Sequence, residues 1–473
     1  MTTAHERVAR EDLLTFVSAC FASTGQREFY SDSRGQGVSI GFLHEYVLGN
    51  YRALYARVLA CGINDYNQAE IIFRLLASGR LVAPEHRAEE GALLLRAIER
   101  LPPQRAMRLL ERLAEARVNN RRTRAIVRRY LGEARERELW AVKYRRRFRV
   151  AAAHVHLPFD GELGSLFVAG WRERAYTTPL FESFRRAHFA EAAIYELPYS
   201  IAEGLARKHG VPREVFLRKI EPRMTNLERL RLQDSTREAL GISLAFDPGR
   251  LSPTRLASYV LSLPRAEREA RRRELTSALE ASSARAVRRT NARFGRVACV
   301  LDRSWSASGS SEKRRRPLAV ALATSCFVRA AAVESRGFWT YPTPDELLVE
   351  AVGQTDLVTP LLEAMAWRPD LVIIVSDGFD NDPPGTAGEL LAIARAKGLC
   401  PFTLHVNPVF DDVSLGPKPL GAAVPTMGIR DAEDLPTAIA FGQFANGGAT
   451  LAELTTALGA RVAHFLGARQ DAA

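Results

Sequence analysis

Five oxygen-bearing residues stand at spacings that can do chemistry together. Asp302, Ser304 and Ser306 form an Asp-x-Ser-x-Ser run in "LDRSWSASGS" (301–310), directly after the apolar stretch "RVACVL". Thr355 lies in "GQTD", and Asp377 lies in "VSDG" after the apolar run "LVIIV". Two carboxylates and three hydroxyls are hard oxygen donors. They suit an octahedral Mg2+ that retains waters and takes one ligand from a partner. Each piece alone also fits an ordinary turn, so the chemistry depends on a fold that gathers the three loops. A second set is cationic. "KYRRRFR" (143–149) places Lys143, Arg145, Arg146, Arg147 and Arg149 around Tyr144 and Phe148, offering phosphate pairing and base stacking. Upstream, "RRTRAIVRR" sets Arg121, Arg124 and Arg128 on one helical face, a track for a phosphate backbone. The plainer alternative is a solvated helix face with Tyr144 and Phe148 packed into the core.

The elements that must position these residues follow from periodicity. In "GALLLRAIERL" (91–101), Leu94, Ile98 and Leu101 fall on one face. "PPQRAMRLLERLAEARV" repeats the pattern with Met107, Leu110 and Leu113, after prolines suited to a helix start. "NRRTRAIVRRYLG" (120–132) makes a third helix, with Gly132 as its cap. Short helices with short loops over about 260 residues predict a helical-repeat arc or superhelix. A final long helix is predicted over 264–290, with Glu267–Arg271 and Glu269–Arg273 in the favourable i,i+4 order. "NARFG" breaks the pattern, and the domain boundary is set at 293/294.

Beyond it the rhythm becomes strand–helix alternation. "RVACVL", "SRGFWTY", "DLVIIVSDG" and "PFTLHVN" read as strands. Helices are expected in "PLAVALATSCFVRAAA", around the loop of "DELLVEAVGQTDLVTPLLEAMAW", in "AGELLAIARAKG" and in "LAELTTALGARVAHFL". This order predicts a doubly wound sheet whose ligands sit beyond the carboxyl ends of the strands. Neither G-x-x-x-x-G-K-[ST] nor G-x-G-x-x-G after the first strand is present, so a nucleotide-binding Rossmann reading has little support.

The ordered set Asp302, Ser304, Ser306, Thr355 and Asp377 on this alternation resembles the von Willebrand factor A domain and its metal-ion-dependent adhesion site. "GSSEKRRRP" follows the motif where that family usually continues with a methionine and a compact helix start, which implies a longer, basic loop here. Several earlier stretches are similar, in order, to the TROVE module of the Ro RNA-binding family. They are "CFASTGQREFYSDSRGQG" (20–37), "RRTRAIVRRYLG" with "LWAVKYRRRFRV", "AAAHVHLP", and the join "ELTSALEASSARAVRRTNARFGRVACVLDRS". The resemblance implies a ring of HEAT-like helices (1–293) closed by a von Willebrand factor A domain (294–473). It also implies binding of small structured, Y-RNA-like noncoding RNA outside the ring and of misfolded RNA ends in its hole. Lys143 and Arg147 match basic positions that contact RNA in that family. His156 matches too, with His154 as the alternative, because the stretch after Arg147 is shorter here. The family's Gly-Trp-x-His element is absent, with "FRVAAA" in its place.

Charge agrees with a polyanion partner. Residues 1–300 carry 52 Lys+Arg against 34 Asp+Glu, a net of +18, and residues 301–473 carry 14 against 20, a net of −6; these sum to +12. The basic residues are nearly all arginine, which codon bias could supply, although bias does not cluster them. The five cysteines share no short spacing, so neither a zinc cluster nor a disulfide framework is indicated. No run is long enough to span a membrane and the first 20 residues lack signal-peptide character, so a cytoplasmic, monomeric protein is expected. His5, His44, His86, His188 and His209 have no ligand-like spacing, and Arg314–Arg316 reads as a solvated loop. No nucleophile elbow or zinc-protease motif is present, so a non-enzyme is expected. Two functions of different class follow. One is a Ro-type RNA scaffold, serving RNA quality control with an exoribonuclease partner. The other is an adaptor whose metal captures a partner's acidic residue, as in systems built around an ATPase or in defence. A metal-dependent nuclease is a distant third.

Overall fold

The computed structural model describes residues 4–30, 32–241, 244, 246–446 and 450–467. The chain divides into two compact units, residues 72–247 and residues 1–71 with 248–473.

The second of these units is built on five parallel strands: β1 (Phe294–Leu301), β2 (Ala332–Trp339), β3 (Leu371–Val375), β4 (Phe402–Asn407) and β5 (Thr426–Gly428). Their order is β2-β1-β3-β4-β5, with Leu301 level with Trp339 on one side and Val375 on the other. β3 is buried along its whole length, as a continuous apolar run in a two-sided sheet requires. Alternation sorts β1 between the faces. Ala298 and Val300 join Val372, Ile374, Leu361 and Leu391 in a core beneath the Val358–Ala366 and Thr386–Ala396 helices. The Arg316–Ala331 helix is buried on nearly all sides and packs against β1, β2 and the Pro253–Ser262 and Arg272–Thr290 helices. The predicted doubly wound α/β sheet is thus present. Two elements were not foreseen, the three-residue β5 and the Leu435–Asn446 helix that packs on β4 and β5.

Helix gives way to sheet at Phe294, after the break at "NARFG", whereas the compact units divide at 71/72 and 247/248. The reason is local. The Ala4–Ala22 helix lies on β5, where the Gly428 N–H donates to Ser18 Oγ at 2.6 Å. A Cβ on Gly428 would collide with the Ser18 carbonyl, so glycine is what lets helix and strand backbones meet. The predicted helix over 264–290 is two helices, Arg265–Ala270 and Arg272–Thr290, broken at Arg271. Glu267 pairs with Arg271 as expected, at 3.2 Å, whereas Glu269 pairs with Arg265 rather than Arg273.

The 72–247 unit is helical. It includes Arg87–Arg100, Pro103–Glu115, Arg121–Gly132, Arg137–Lys143 and Arg145–His154. Leu94, Ile98, Leu101, Met107, Leu110 and Leu113 are all buried, as their spacing predicts. Asn120 caps the Arg121–Gly132 helix by accepting from the Thr123 N–H at 3.0 Å. Gly132 is the last helical residue rather than a left-handed cap. No described helix is long and apolar enough to cross a membrane.

Candidate functional site

β1 lies between β2 and β3, so the chain leaves it in opposite directions and opens a crevice at the carboxyl ends of β1 and β3. Asp302 follows β1, and its N–H donates to the Val375 carbonyl of β3 at 2.9 Å. Asp377 stands two residues beyond β3. Ser304 donates to Asp302 twice, from its N–H to Oδ1 at 2.8 Å and from its hydroxyl to Oδ2 at 3.0 Å. The Ser304 and Ser306 hydroxyls are 3.1 Å apart. Thr355 reaches the same loops through its carbonyl, which accepts from the Asn381 and Asp382 N–H groups at 3.1 Å each. All five residues are buried. Gly378 holds the turn after Asp377 at φ +81°, where a Cβ would strike the Lys418 carbonyl.

The electrostatics of this crevice suit a cation. Burial, with the charge of Asp377 behind it, pushes the Asp302 carboxyl up to about 7 against hydrogen bonds from Ser304 and Thr340. Burial also raises Asp377, opposed by Ser306, the Phe379 N–H and the charge of Lys418. Two neighbouring buried carboxylates with the hydroxyls of Ser304, Ser306 and Thr340 beside them form a donor set that fits a divalent hard cation completed by water. Mg2+ held by these residues would supply a Lewis-acidic point for a carboxylate or phosphate oxygen. No group of three or more His, Cys, Asp or Glu side chains is arranged to hold a metal among the described residues.

Sequence reading missed the residues that surround this set. Tyr30 faces Ser306, Asp377 and Asp302, with its ring 4.1 Å from that of Phe379. The Lys418 ammonium lies 3.4 Å over the other partner of that stack, Phe379. The segment before Tyr30 is fastened to the basic loop after the motif: Ser310 Oγ donates to the Arg27 carbonyl at 2.6 Å, and Lys313 forms a buried ion pair with Glu28. Arg316 bonds the Arg430 carbonyl and Asp431, so it is not the solvated residue expected, whereas Arg314 and Arg315 are exposed. His405 is buried and pushed down to about 4 by burial, hence neutral; its Nε2 lies 3.0 Å from Ser376 Oγ and steadies the turn into Asp377. No local spacing signals these partners, because each arrives from a distant segment.

The basic helices resolve into distinct roles. Phe148 is fully buried and stacks near Phe159 and Phe167, so it packs the core. Tyr144 breaks the chain between two helices and is half-buried. Arg145 donates to the Leu166 carbonyl through Nε and Nη2, at 3.1 and 2.6 Å, and lies 4.7 Å from the Trp171 ring. Arg128 likewise donates to the Val155 and His156 carbonyls at 2.7 and 3.1 Å. Both satisfy carbonyls near helix ends, the structural use of a basic side chain there. Arg146 and Arg147 share Glu111 at 2.9 and 2.6 Å, which holds that carboxyl below its usual range, with the Arg147 bond as the largest cause. Lys143, Arg149 and Arg121 are exposed, Arg124 is partly buried, and these four have no carboxylate partner among the described residues. His154 bonds the Val118 carbonyl through Nε2 at 3.0 Å, whereas His156 is exposed in the left-handed region at φ +53°.

No family model and no curated protein matches this sequence. Among solved structures, the chain is similar to the Ro (RSR) protein of Deinococcus radiodurans. The match covers 94% of this chain and 100% of that one, at 16% identity and a TM-score of 0.47.

Proposed function

We propose that this protein is a non-enzymatic RNA-binding scaffold of the Ro type. Its helical part, arranged as the HEAT-like ring that the sequence resemblance implies, holds small structured noncoding RNA, misfolded RNA, or both. The observation that carries this reading is the exposed cationic group on the helices from Arg121 to His154. There Lys143, Arg149 and Arg121 project without carboxylate partners among the described residues, and only Glu111 offsets Arg146 and Arg147. Unpaired surface arginines and lysines supply the counterion-release term that dominates nucleic-acid affinity. Mg2+ at Asp302, Ser304, Ser306, Thr355 and Asp377 would dock an acidic residue of a protein partner, such as an exoribonuclease that receives the RNA.

The test is RNA recovered with the protein purified from its host at moderate salt, beside a Lys143→Ala/Arg149→Ala preparation. Discrete structured RNAs are expected with the parent and depleted at least tenfold in the variant. Removing two phosphate contacts should also flatten the slope of log affinity on log salt by about 1.4 to 1.8. Glu111→Gln, which releases Arg146 and Arg147, should tighten binding a few-fold at low salt. No RNA affinity at low salt would overturn the proposal.

The second reading, a protein-docking adaptor, is favoured by one specific observation, the buried pair Asp302 and Asp377 among hydroxyls. It predicts a partner lost on chelation or with Asp302→Ala, and unaffected by ribonuclease.

A further inference from the structure

A cavity of about 440 Å³ opens beside the metal-site motif, within the unit that carries the sheet. Its floor is apolar, with Leu263 and Leu318 buried beneath it. Three arginines line it, Arg265, Arg268 and Arg315, together with Trp305. Trp305 is 64% exposed, although it lies between two buried motif serines. Its backbone is fixed, because its N–H donates to the Gly353 carbonyl at 3.0 Å. An indole anchored at its backbone and mostly in solvent adds little packing, whereas a stacking role fits.

The charge in the cavity is lopsided. Arg268 is 3% exposed and donates to the Leu347 and Val349 carbonyls at 3.1 and 3.0 Å and to Glu350 at 2.9 Å. Its Nε is buried with no hydrogen-bond partner among the described residues, and a buried donor left unpaired is costly. Arg303 reaches the same side, donating to the Glu350 carbonyl at 2.9 Å. Among the described residues Glu350 is the one carboxylate of the lining, and Glu269 pairs with Arg265 from outside it at 3.3 Å. Arg315 is held at φ +55°, a conformation that non-glycine residues rarely adopt, with its N–H on the Ser308 carbonyl at 2.6 Å. Arg268 and Arg265 are thus each offset by one carboxylate, and the excess positive charge of the lining rests on Arg315, which has no carboxylate partner among the described residues.

We propose that this cavity binds a nucleotide, with the base on Trp305 over the apolar floor and the phosphate between Arg265 and Arg315. The volume falls in the range of small-ligand sites. An aromatic face beside guanidiniums serves both halves of a nucleotide, and base stacking tolerates any base. The site belongs to a different unit from the basic helices, so it does not depend on the RNA reading of those helices. Its source is either free nucleotide or the phosphorylated end of an RNA strand, which share this chemistry.

The test is calorimetric titration of the full chain with AMP, adenosine, inorganic phosphate and a short 5′-phosphorylated RNA. AMP is expected to bind at least tenfold tighter than adenosine or phosphate alone, since only AMP engages both halves. Trp305→Ala and Arg315→Ala should each weaken AMP about tenfold with unchanged thermal melts, because both side chains are exposed. Competition of the RNA with AMP assigns the site to strand ends, and its failure to compete assigns the site to free nucleotide. Lys143→Ala/Arg149→Ala should bind AMP normally, which keeps this test separate from that of RNA binding. The proposal is overturned if AMP shows no binding at about 1 mM. Undiminished AMP binding by the folded Trp305→Ala and Arg315→Ala chains would also overturn it, as would an acidic peptide occupying the cavity where AMP does not.

Discussion

Asp302→Asn should stabilise the metal-free protein while abolishing its response to Mg2+. Asparagine keeps the shape and keeps an oxygen for the Ser304 N–H, now 2.8 Å from Asp302 Oδ1. What it removes is a buried negative charge beside Asp377. A carboxyl raised in the folded state from its ordinary value to about 7 favours folding while it is protonated. That contribution is lost as pH rises through the interval between the two values, and above pH 7 the fold carries the full cost of the charge. The interval corresponds to at most about 4 kcal/mol, and relaxation with water entry reduces the effect to about 2 kcal/mol. For a unit of this size the melting temperature should rise by about 4 °C at pH 8 in chelator. The gain should shrink as pH falls towards 5. In the parent, Mg2+ at a hundred times its Kd should return about 2.7 kcal/mol, and in Asp302→Asn nearly nothing. Melting curves at pH 5 and 8, with Mg2+ and with chelator, measure all four cases. A variant that melts lower than the parent in chelator at pH 8, or that keeps the Mg2+ shift, refutes the reasoning.

Two further substitutions separate packing from binding. Phe148→Ala should cost about 3 to 5 kcal/mol of stability in the 72–247 unit, read by denaturant titration, since the ring is wholly buried; RNA affinity per folded molecule should be unchanged. Gly378→Ala should lower stability by about 2 to 4 kcal/mol and remove the Mg2+-dependent melting shift, because a Cβ at φ +81° meets the Lys418 carbonyl and displaces the turn that presents Asp377.

The legible parts of the molecule were those that local pattern encodes. An apolar run ending in aspartate gave β1 with Asp302 and β3 with Asp377, and strand–helix alternation put both at one sheet edge. Amphipathic spacing likewise gave the buried faces of Arg87–Arg100 and Pro103–Glu115. What stayed hidden was set by distant contacts. β5 has three residues, too few for a period to show. Helical pattern in residues 4–22 says that one face is buried, but not that β5 buries it. The five cations of 143–149 look alike in sequence, yet Arg145 holds the Leu166 carbonyl while Arg146 and Arg147 share Glu111, thirty-five and thirty-six positions away. Tyr30 reaches the crevice from the far end of the chain.

The Asp-x-Ser-x-Ser run carries two patterns at once. Burial along it alternates: Asp302, Ser304 and Ser306 are buried, Arg303 is partly exposed and Trp305 is exposed. The buried members turn oxygens to the crevice between β1 and β3. Of the intervening ones, Trp305 lines the arginine cavity, and Arg303 donates to the Glu350 carbonyl beside it. One short loop, with the turn that follows it, therefore stands between an electronegative crevice and an electropositive cavity. The Trp305–Ser308 turn and the Gly309 φ of +72° fix both sides together. An anion in the cavity and a cation in the crevice would each relieve like-charge repulsion on its own side of that loop. Their opposite charges would also attract across it, so occupation of either side favours occupation of the other, and by linkage the gain is equal in both directions.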